Sequence, residues 1–225
     1  MDLNVQIIAR IRSPFGSKFG IPRQSALIET VRSQIVFEPA YRNPAALRGL
    51  EEFSHLWLLW HFSEAVREHW SPTVRPPRLG GNARMGVFAT RSPFRPNPIG
   101  LSCVRLERIE LHSPEGPILH VLGADLMDGT PILDIKPYLS EVDSHPEALS
   151  GSTAPLEDAH LEVHCPPELL ERIPEDSRAA LLAVLAADPR PRYQNDRSRV
   201  YGFAFAGREV KFTVDGRVLT VAEVE

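Results

Sequence analysis

Long apolar runs, cysteines and lysines are all scarce in this 225-residue chain. No hydrophobic stretch approaches the ~20 residues that a membrane-spanning helix needs. The first residues, Met1-Asp2-Leu3-Asn4-Val5, lack a charged segment followed by an apolar one, so no secretory signal is expected. Cys103 and Cys165 are the only cysteines, too far apart for a disulfide framework or a metal motif, which points to a reducing cytoplasm. A phosphate-binding P-loop, a GxGxxG after a strand, HExxH and GxSxG are all missing. The common nucleotide-binding, zinc-protease and serine-hydrolase readings therefore lose their support, and no serine sits in a nucleophile elbow. His55 and His61 bracket an apolar run and His69 follows. They read as strand-end or interface residues, and no metal is expected.

What is present is ordinary in bulk and uneven in detail. Hydrophobic residues make up 43% and charged residues 24%, as in a globular domain. The net charge of −4 argues against a protein coated in positive charge. Residues 1–140 carry 16 Lys+Arg against 13 Asp+Glu, whereas the remainder carries 9 against 16. The first part can therefore present a face to nucleic acid. All but Lys18, Lys136 and Lys211 of the basic residues are arginine, whose planar fork suits phosphate and carboxylate.

The densest signal runs from Met85 to Ser102. Pro93, Pro96 and Pro98 fix φ and remove backbone donors, which forbids helix and interior strand. Such a stiff segment holds Arg91, Arg95 and Asn97 in place between two apolar runs, as an anion or nucleotide site requires. A proline-rich corner with solvated arginines is the plainer alternative. The tetrapeptide Arg-Ser-Pro-Phe occurs at 12–15 and again at 91–94. Two similar turns presenting an arginine from one barrel end would explain it.

Strands are expected at Val5–Ile11, Ala26–Val31, Gln34–Phe37, Met85–Thr90, Leu101–His112, Pro117–Leu126 and Ile132–Leu139. Ser54–Phe62 is near-continuously apolar and reads as a strand buried on both faces. Asn43 is placed to cap a short helix through Leu47. Ser71–Arg84 reads as a long loop, and Asp128-Gly129-Thr130-Pro131 as the turn between two strands. Many strands with proline-kinked connections and almost no helix indicate a mainly β fold: a single-sheet antiparallel β-barrel over residues 1–140. Periodicity vanishes over 141–158, a linker. Residues 159–225 then read as a small α+β domain. It has helices at Pro167–Ile173 and Glu175–Ala187, strands at Val200–Phe205, Val210–Val214 and Arg217–Val224, and a hairpin at Asp215-Gly216.

Two regions carry possible chemistry. Asp125, Asp128 and Asp134 lie within ten residues at the end of the predicted sheet, where ligand sites open. Alternation puts Asp134 and Lys136 on one strand face, either as a structural ion pair or as working groups. In the second region, Arg190, Arg192, Tyr193 and Arg197 occupy a stiff loop. Guanidiniums for phosphate and a ring for stacking suit single-stranded RNA, although Asp188 and Asp196 can balance a solvated loop.

Five blocks in order resemble the TsaA/TrmO family. They are Ile11–Phe15, Lys18–Gln24, Gly49–Trp57, Arg75–Arg78 through Met85–Gly100, and Asp128–Pro131 with Asp134–Tyr138. The tail adds Asp188-Pro189-Arg190-Pro191 and Tyr201-Gly202. This resemblance implies an S-adenosylmethionine-dependent tRNA methyltransferase. It would act on N6 of N6-threonylcarbamoyladenosine at position 37, beside the anticodon of threonine tRNA, on a dimerising barrel that binds the methyl donor. It implies donor contacts at Pro22, Arg23, Gln24, Ser63, Glu64, Arg91, Leu101, Asp125, Leu126, Asp128, Gly129 and Thr130. Ser63-Glu64 departs from the His-Gln pair found in other members.

Asp134, Asn97 and Tyr138 are the catalytic candidates. Asn97-Pro98 resembles the Asn-Pro pairs of adenine-N6 methyltransferases, without their following aromatic residue. Arg95 and Lys136 join the arginine cluster as substrate contacts, since a threonyl carboxylate calls for a guanidinium. A non-catalytic nucleotide- or RNA-binding barrel is the alternative function. A barrel freed by a cut in 141–158 is expected to keep the donor and methylate tRNA poorly.

Overall fold

A computed structural model describes residues 4–66, 69–76, 83–151, 160–190 and 196–225. The chain order is β1 (Ala9–Arg12), β2 (Arg32–Phe37), β3 (His55–His61), β4 (Thr73–Val74), β5 (Met85–Gly86), β6 (Ile99–Glu110), β7 (Ile118–Leu122) and β8 (Pro131–Pro137). Next come α1 (Ser140–Asp143), β9 (Glu162–His164), α2 (Pro167–Leu170) and α3 (Glu175–Ala186). The chain ends with β10 (Tyr201–Phe205), β11 (Arg208–Asp215) and β12 (Val218–Val224).

Six strands close a barrel in the order β1-β2-β7-β6-β3-β8, all antiparallel, which leaves no sheet edge. The expected single-sheet barrel is therefore the fold. Period-two alternation fills it. Leu56, Leu58 and Trp60 of β3 point inward beside Ile11, Ile35, Val104, Leu119 and Ile132. Asn43 caps a 3-10 turn over Pro44–Leu47 by accepting from Ala45 N at 3.0 Å.

Several local readings change. Ser54–Phe62 is not buried on both faces, because a one-layer barrel has only one inside; Trp57 and Leu59 face outward and stay half-buried. Ala26–Val31 is a loop, not a strand. Ala26 sits at φ 63°, and its N–H donates to Gly123 O at 2.8 Å, tying the segment to the end of β7. The first strand starts at Ala9. Past Gly86, the expected Met85–Thr90 strand tightens into a 3-10 turn. The Asp128–Pro131 turn does not close a hairpin: β7 and β8 are not neighbours, so the chain crosses the barrel mouth there.

The tail forms a sheet in the order β10-β11-β12-β9, with β9 parallel to β12. The α3 helix buries Ala180, Leu181, Val184 and Leu185 against it. Its core is not its own. Phe15, Ile28 and Val31 from the β1–β2 loop are buried in the same cluster, with Phe19 and Ile21 packed on it. Phe15 meets Phe205 edge-on at 5.6 Å, Gly16 N–H donates to Ala204 O at 3.3 Å, and Ala206 N–H donates to Pro14 O at 2.7 Å. A barrel cut free would lose this packing.

Candidate functional site

Four connections converge at one end of the barrel: the β1–β2 loop, the turn after β3, the proline-rich approach to β6, and the β7–β8 crossing. Each is pinned by its own sequence. Both Arg-Ser-Pro-Phe copies form the same serine turn, with Ser13 Oγ and Ser92 Oγ each accepting from the N–H two residues on at 3.3 Å. The arginines diverge. Arg12 is bidentate to Glu115 at 2.7 and 2.6 Å, whereas Arg91 donates to Gln24 Oε1. Lys18 Nζ donates to Glu64 O, drawing the β1–β2 loop toward the Ser63-Glu64 turn.

Asp125 is the chemical centre of this mouth. Its carboxylate accepts from Ser102 Oγ at 2.5 Å, and Ser102 in turn accepts from Trp60 Nε1 at 3.0 Å. Burial pushes the Asp125 carboxyl pKa up; the Ser102 hydrogen bond and the nearby Arg91 charge oppose this. A partly desolvated carboxylate of this kind favours a cationic partner. The indole that begins the chain needs the glycine opposite it, since a Cβ on Gly100 would lie 2.2 Å from Trp60 Cε2. Sequence reasoning missed Ser102 and Trp60. The signal was the alternation of β6, which puts Ser102 on the inward face shared by Gly100 and Val104.

The expected donor residues Pro22, Arg23, Gln24, Ser63, Glu64, Arg91, Asp125, Asp128 and Gly129 all lie on these mouth loops, but not all are open to a ligand. Asp128 accepts from Ser13 N at 3.0 Å, and its own N–H donates to Phe15 O at 2.8 Å, so it braces the crossing. Thr130 Oγ1 donates to Met127 O at 2.6 Å, and Leu126 is buried in the barrel core. Leu101 stands at the rim, facing outward.

Among the remaining candidates, Asn97 and Arg95 belong to the mouth. Arg95 Nη1 donates to Thr90 O at 2.9 Å, which steadies its fork. Asp134, Lys136 and Tyr138 lie elsewhere, on the outer wall of β8. Asp134 and Lys136 do share a face and pair at 3.0 Å, while Tyr138 packs on Trp57 at 5.6 Å. Register sets Leu101, Leu59 and Asp134 side by side across β6, β3 and β8. In the tail, Arg190 is buried and bidentate to Asp188 at 2.9 and 3.0 Å, so it is a structural residue and not a surface contact. Arg197 is exposed and pairs with Asp215 at 3.1 Å. Arg192 and Tyr193 lie outside the described residues.

A closed antiparallel barrel with a polar mouth around a half-buried carboxylate defines a single-sheet β-barrel, a class apart from the parallel α/β folds that bind nucleotides. Residues 10–144 match the tRNA-methyltransferase O N-terminal domain, and residues 158–225 match the TrmO C-terminal domain. An Escherichia coli protein named tRNA (adenine(37)-N6)-methyltransferase is 45% identical over 193 residues, covering 83% of this chain and 82% of its own. A Pseudomonas aeruginosa relative bearing the name of an S-adenosylmethionine-dependent methyltransferase is 42% identical over 212 residues, covering 90% and 88%. The crystal structure of TrmO from that organism superposes with a TM-score of 0.80 at 35% identity, covering 100% of this chain and 97% of the other. The chain belongs to the tRNA-methyltransferase O family.

Proposed function

We propose that this protein is a tRNA methyltransferase that uses S-adenosylmethionine to methylate N6 of adenosine 37, with the N6-threonylcarbamoyl form in threonine tRNA as substrate. The observation that carries this reading is the half-buried Asp125 carboxylate at the mouth of a barrel of this family. When bound, the donor supplies an electrophilic methyl group on a cationic sulfonium. Asp125 fits that charge, because a fixed cation beside a desolvated carboxylate favours the ionised form. Pro22, Arg23, Gln24, Ser63, Glu64, Arg91 and Leu101 would hold the rest of the donor.

The acceptor is a urea-like nitrogen that takes the methyl group and releases its proton to water as the bond forms, leaving the donor sulfur as a neutral thioether. Asn97, exposed at the rim between Pro96 and Pro98, can accept from that N–H and fix its direction. Arg95, held by Thr90, can take the threonyl carboxylate. Asp134, Lys136 and Tyr138 act only if another surface closes over the outer wall. A homodimer supplies one: Ile99 and Leu101 are exposed there beside half-buried Trp57 and Leu59. The protein works in the cytoplasm, where Cys103 and Cys165 stay as thiols.

The test is mass spectrometry of tRNA nucleosides after incubation with labelled donor, using threonine tRNA with and without the threonylcarbamoyl group. A labelled methyl on the modified nucleoside alone is expected. Donor and tRNA binding without transfer would leave a non-catalytic barrel.

A further inference from the structure

Residues 69–106 hold six arginines and no Asp or Glu, in a chain whose net charge is −4. Two large aromatic side chains stay in water within this stretch, Trp70 at 53% and Phe88 at 72% exposure. Their ring centroids are 6.3 Å apart and their planes 31° from parallel. The backbone that carries them is anchored. The β4–β5 ribbon pairs Thr73 with Gly86 and Val74 with Met85, Val87 N–H donates to Pro72 O at 3.0 Å, and Val87 itself is buried. A cavity of about 210 Å³ opens beside Trp70, bounded by His69, Val66, Phe94, Arg95 and Pro96. That is room for about seven waters, or one small planar group.

No core packing accounts for two exposed rings, and such patches mark contact sites. The surrounding charge selects the partner. An arginine-rich stretch attracts a polyanion, and aromatic faces beside guanidiniums are how proteins hold unpaired bases. We infer that Trp70 and Phe88 form a stacking platform for one unpaired base of the RNA loop presented to the barrel mouth, with Arg95 beside it. This rests on the RNA-methylating reading above. It makes Trp70 and Phe88 positioning residues: they fix the loop so that a neighbouring nucleotide reaches the mouth, and they touch no reacting atom.

The experiment measures binding of a 17-nucleotide anticodon stem-loop RNA by fluorescence anisotropy across a salt series. Wild type is compared with Trp70→Ala, Trp70→Phe, Phe88→Ala and Arg95→Ala, and the mass of each variant is checked by light scattering. Trp70→Ala and Phe88→Ala should each weaken binding by about 5- to 150-fold with an unchanged salt slope, because stacking is lost and no charge is removed. Arg95→Ala should instead lower the slope by about one. Trp70→Phe should retain most of the affinity but lose the RNA-induced quenching of tryptophan fluorescence. Unchanged affinity in both alanine variants overturns the platform, as does a shift of oligomeric mass with RNA binding intact, which would make the patch an interface between copies. If wild type binds the stem-loop but transfers no methyl to threonine tRNA carrying the threonylcarbamoyl group, the enzymatic reading fails and the platform stands. If wild type methylates and the alanine variants bind normally, the platform fails alone.

Discussion

Gly20→Ala should loosen the donor loop and the tail together. Gly20 is buried at φ +92°, and a Cβ there would lie 2.3 Å from Phe203 Cδ2 and 2.7 Å from Cε2. Placing an alanine in that backbone region costs about 1–2 kcal/mol, and overpacking against a buried ring costs about 1–3 kcal/mol more. The sum, about 2–5 kcal/mol, is a large share of a typical folding free energy. Phe203→Ala alone should cost about 3–5 kcal/mol through the cavity it leaves. In that background the steric part vanishes, and Gly20→Ala should cost only the backbone part. Urea denaturation of the four proteins of this cycle reads the coupling, and Phe203→Leu serves where the alanine variant is too unstable to measure. Calorimetry with S-adenosylmethionine should show weaker binding in Gly20→Ala, since the strain enters two residues before Pro22. An identical Gly20→Ala penalty in both backgrounds would refute the steric contact.

Asp125→Asn tests the half-buried carboxylate. Because burial raises its pKa, the ionised form destabilises the ligand-free fold. The stability of wild type should therefore fall as pH rises from the ordinary carboxylate value, about 3.9, through the raised native one. The asparagine variant should be the more stable protein at neutral pH, with the two curves meeting below about pH 4, while its donor binding is lost; denaturation at several pH values together with calorimetry checks both. Arg190→Ala should lower the melting temperature by leaving Asp188 unpaired in a half-buried site, yet leave tRNA affinity unchanged in a filter-binding assay. A fragment ending at residue 144 should bind S-adenosylmethionine more weakly than the full chain, because Phe15, Ile28 and Val31 lose their packing. Equal affinity by calorimetry would show that the donor loop orders itself.

The barrel was legible because apolar runs such as Ser54–Phe62 and the proline-kinked connections between them are local signals, whereas which face of β3 and β6 points inward was not. The mouth was legible because proline stiffens the chain where Arg91, Arg95 and Asn97 sit. What escaped was partnership. The resemblance supplied Asp128 as a donor contact, but the two hydrogen bonds that make it a brace come from residues 13 and 15, more than a hundred positions away. Arg190 reads as an RNA contact because it shares a stiff loop with Arg192, Tyr193 and Arg197; the backbone bend at Asp188, φ 51°, instead folds the Asp188 carboxylate onto its guanidinium. Ala26–Val31 carries apolar residues in a strand-like run, yet their burial serves the tail and not the sheet.

Residues 13–31 join neighbouring strands by a route far longer than a hairpin needs, and a loop of that length orders itself only by finding a core. It finds one in the tail, through Phe15, Phe19, Ile21, Ile28 and Val31. The loop's other side carries Lys18 to Glu64 and Gln24 to Arg91, the contacts that shape the mouth. The same peptide is therefore wall to the candidate donor site and floor to the tail. Substitutions in the β10–β11 hairpin core should then register first as changes in donor affinity, before any effect on RNA.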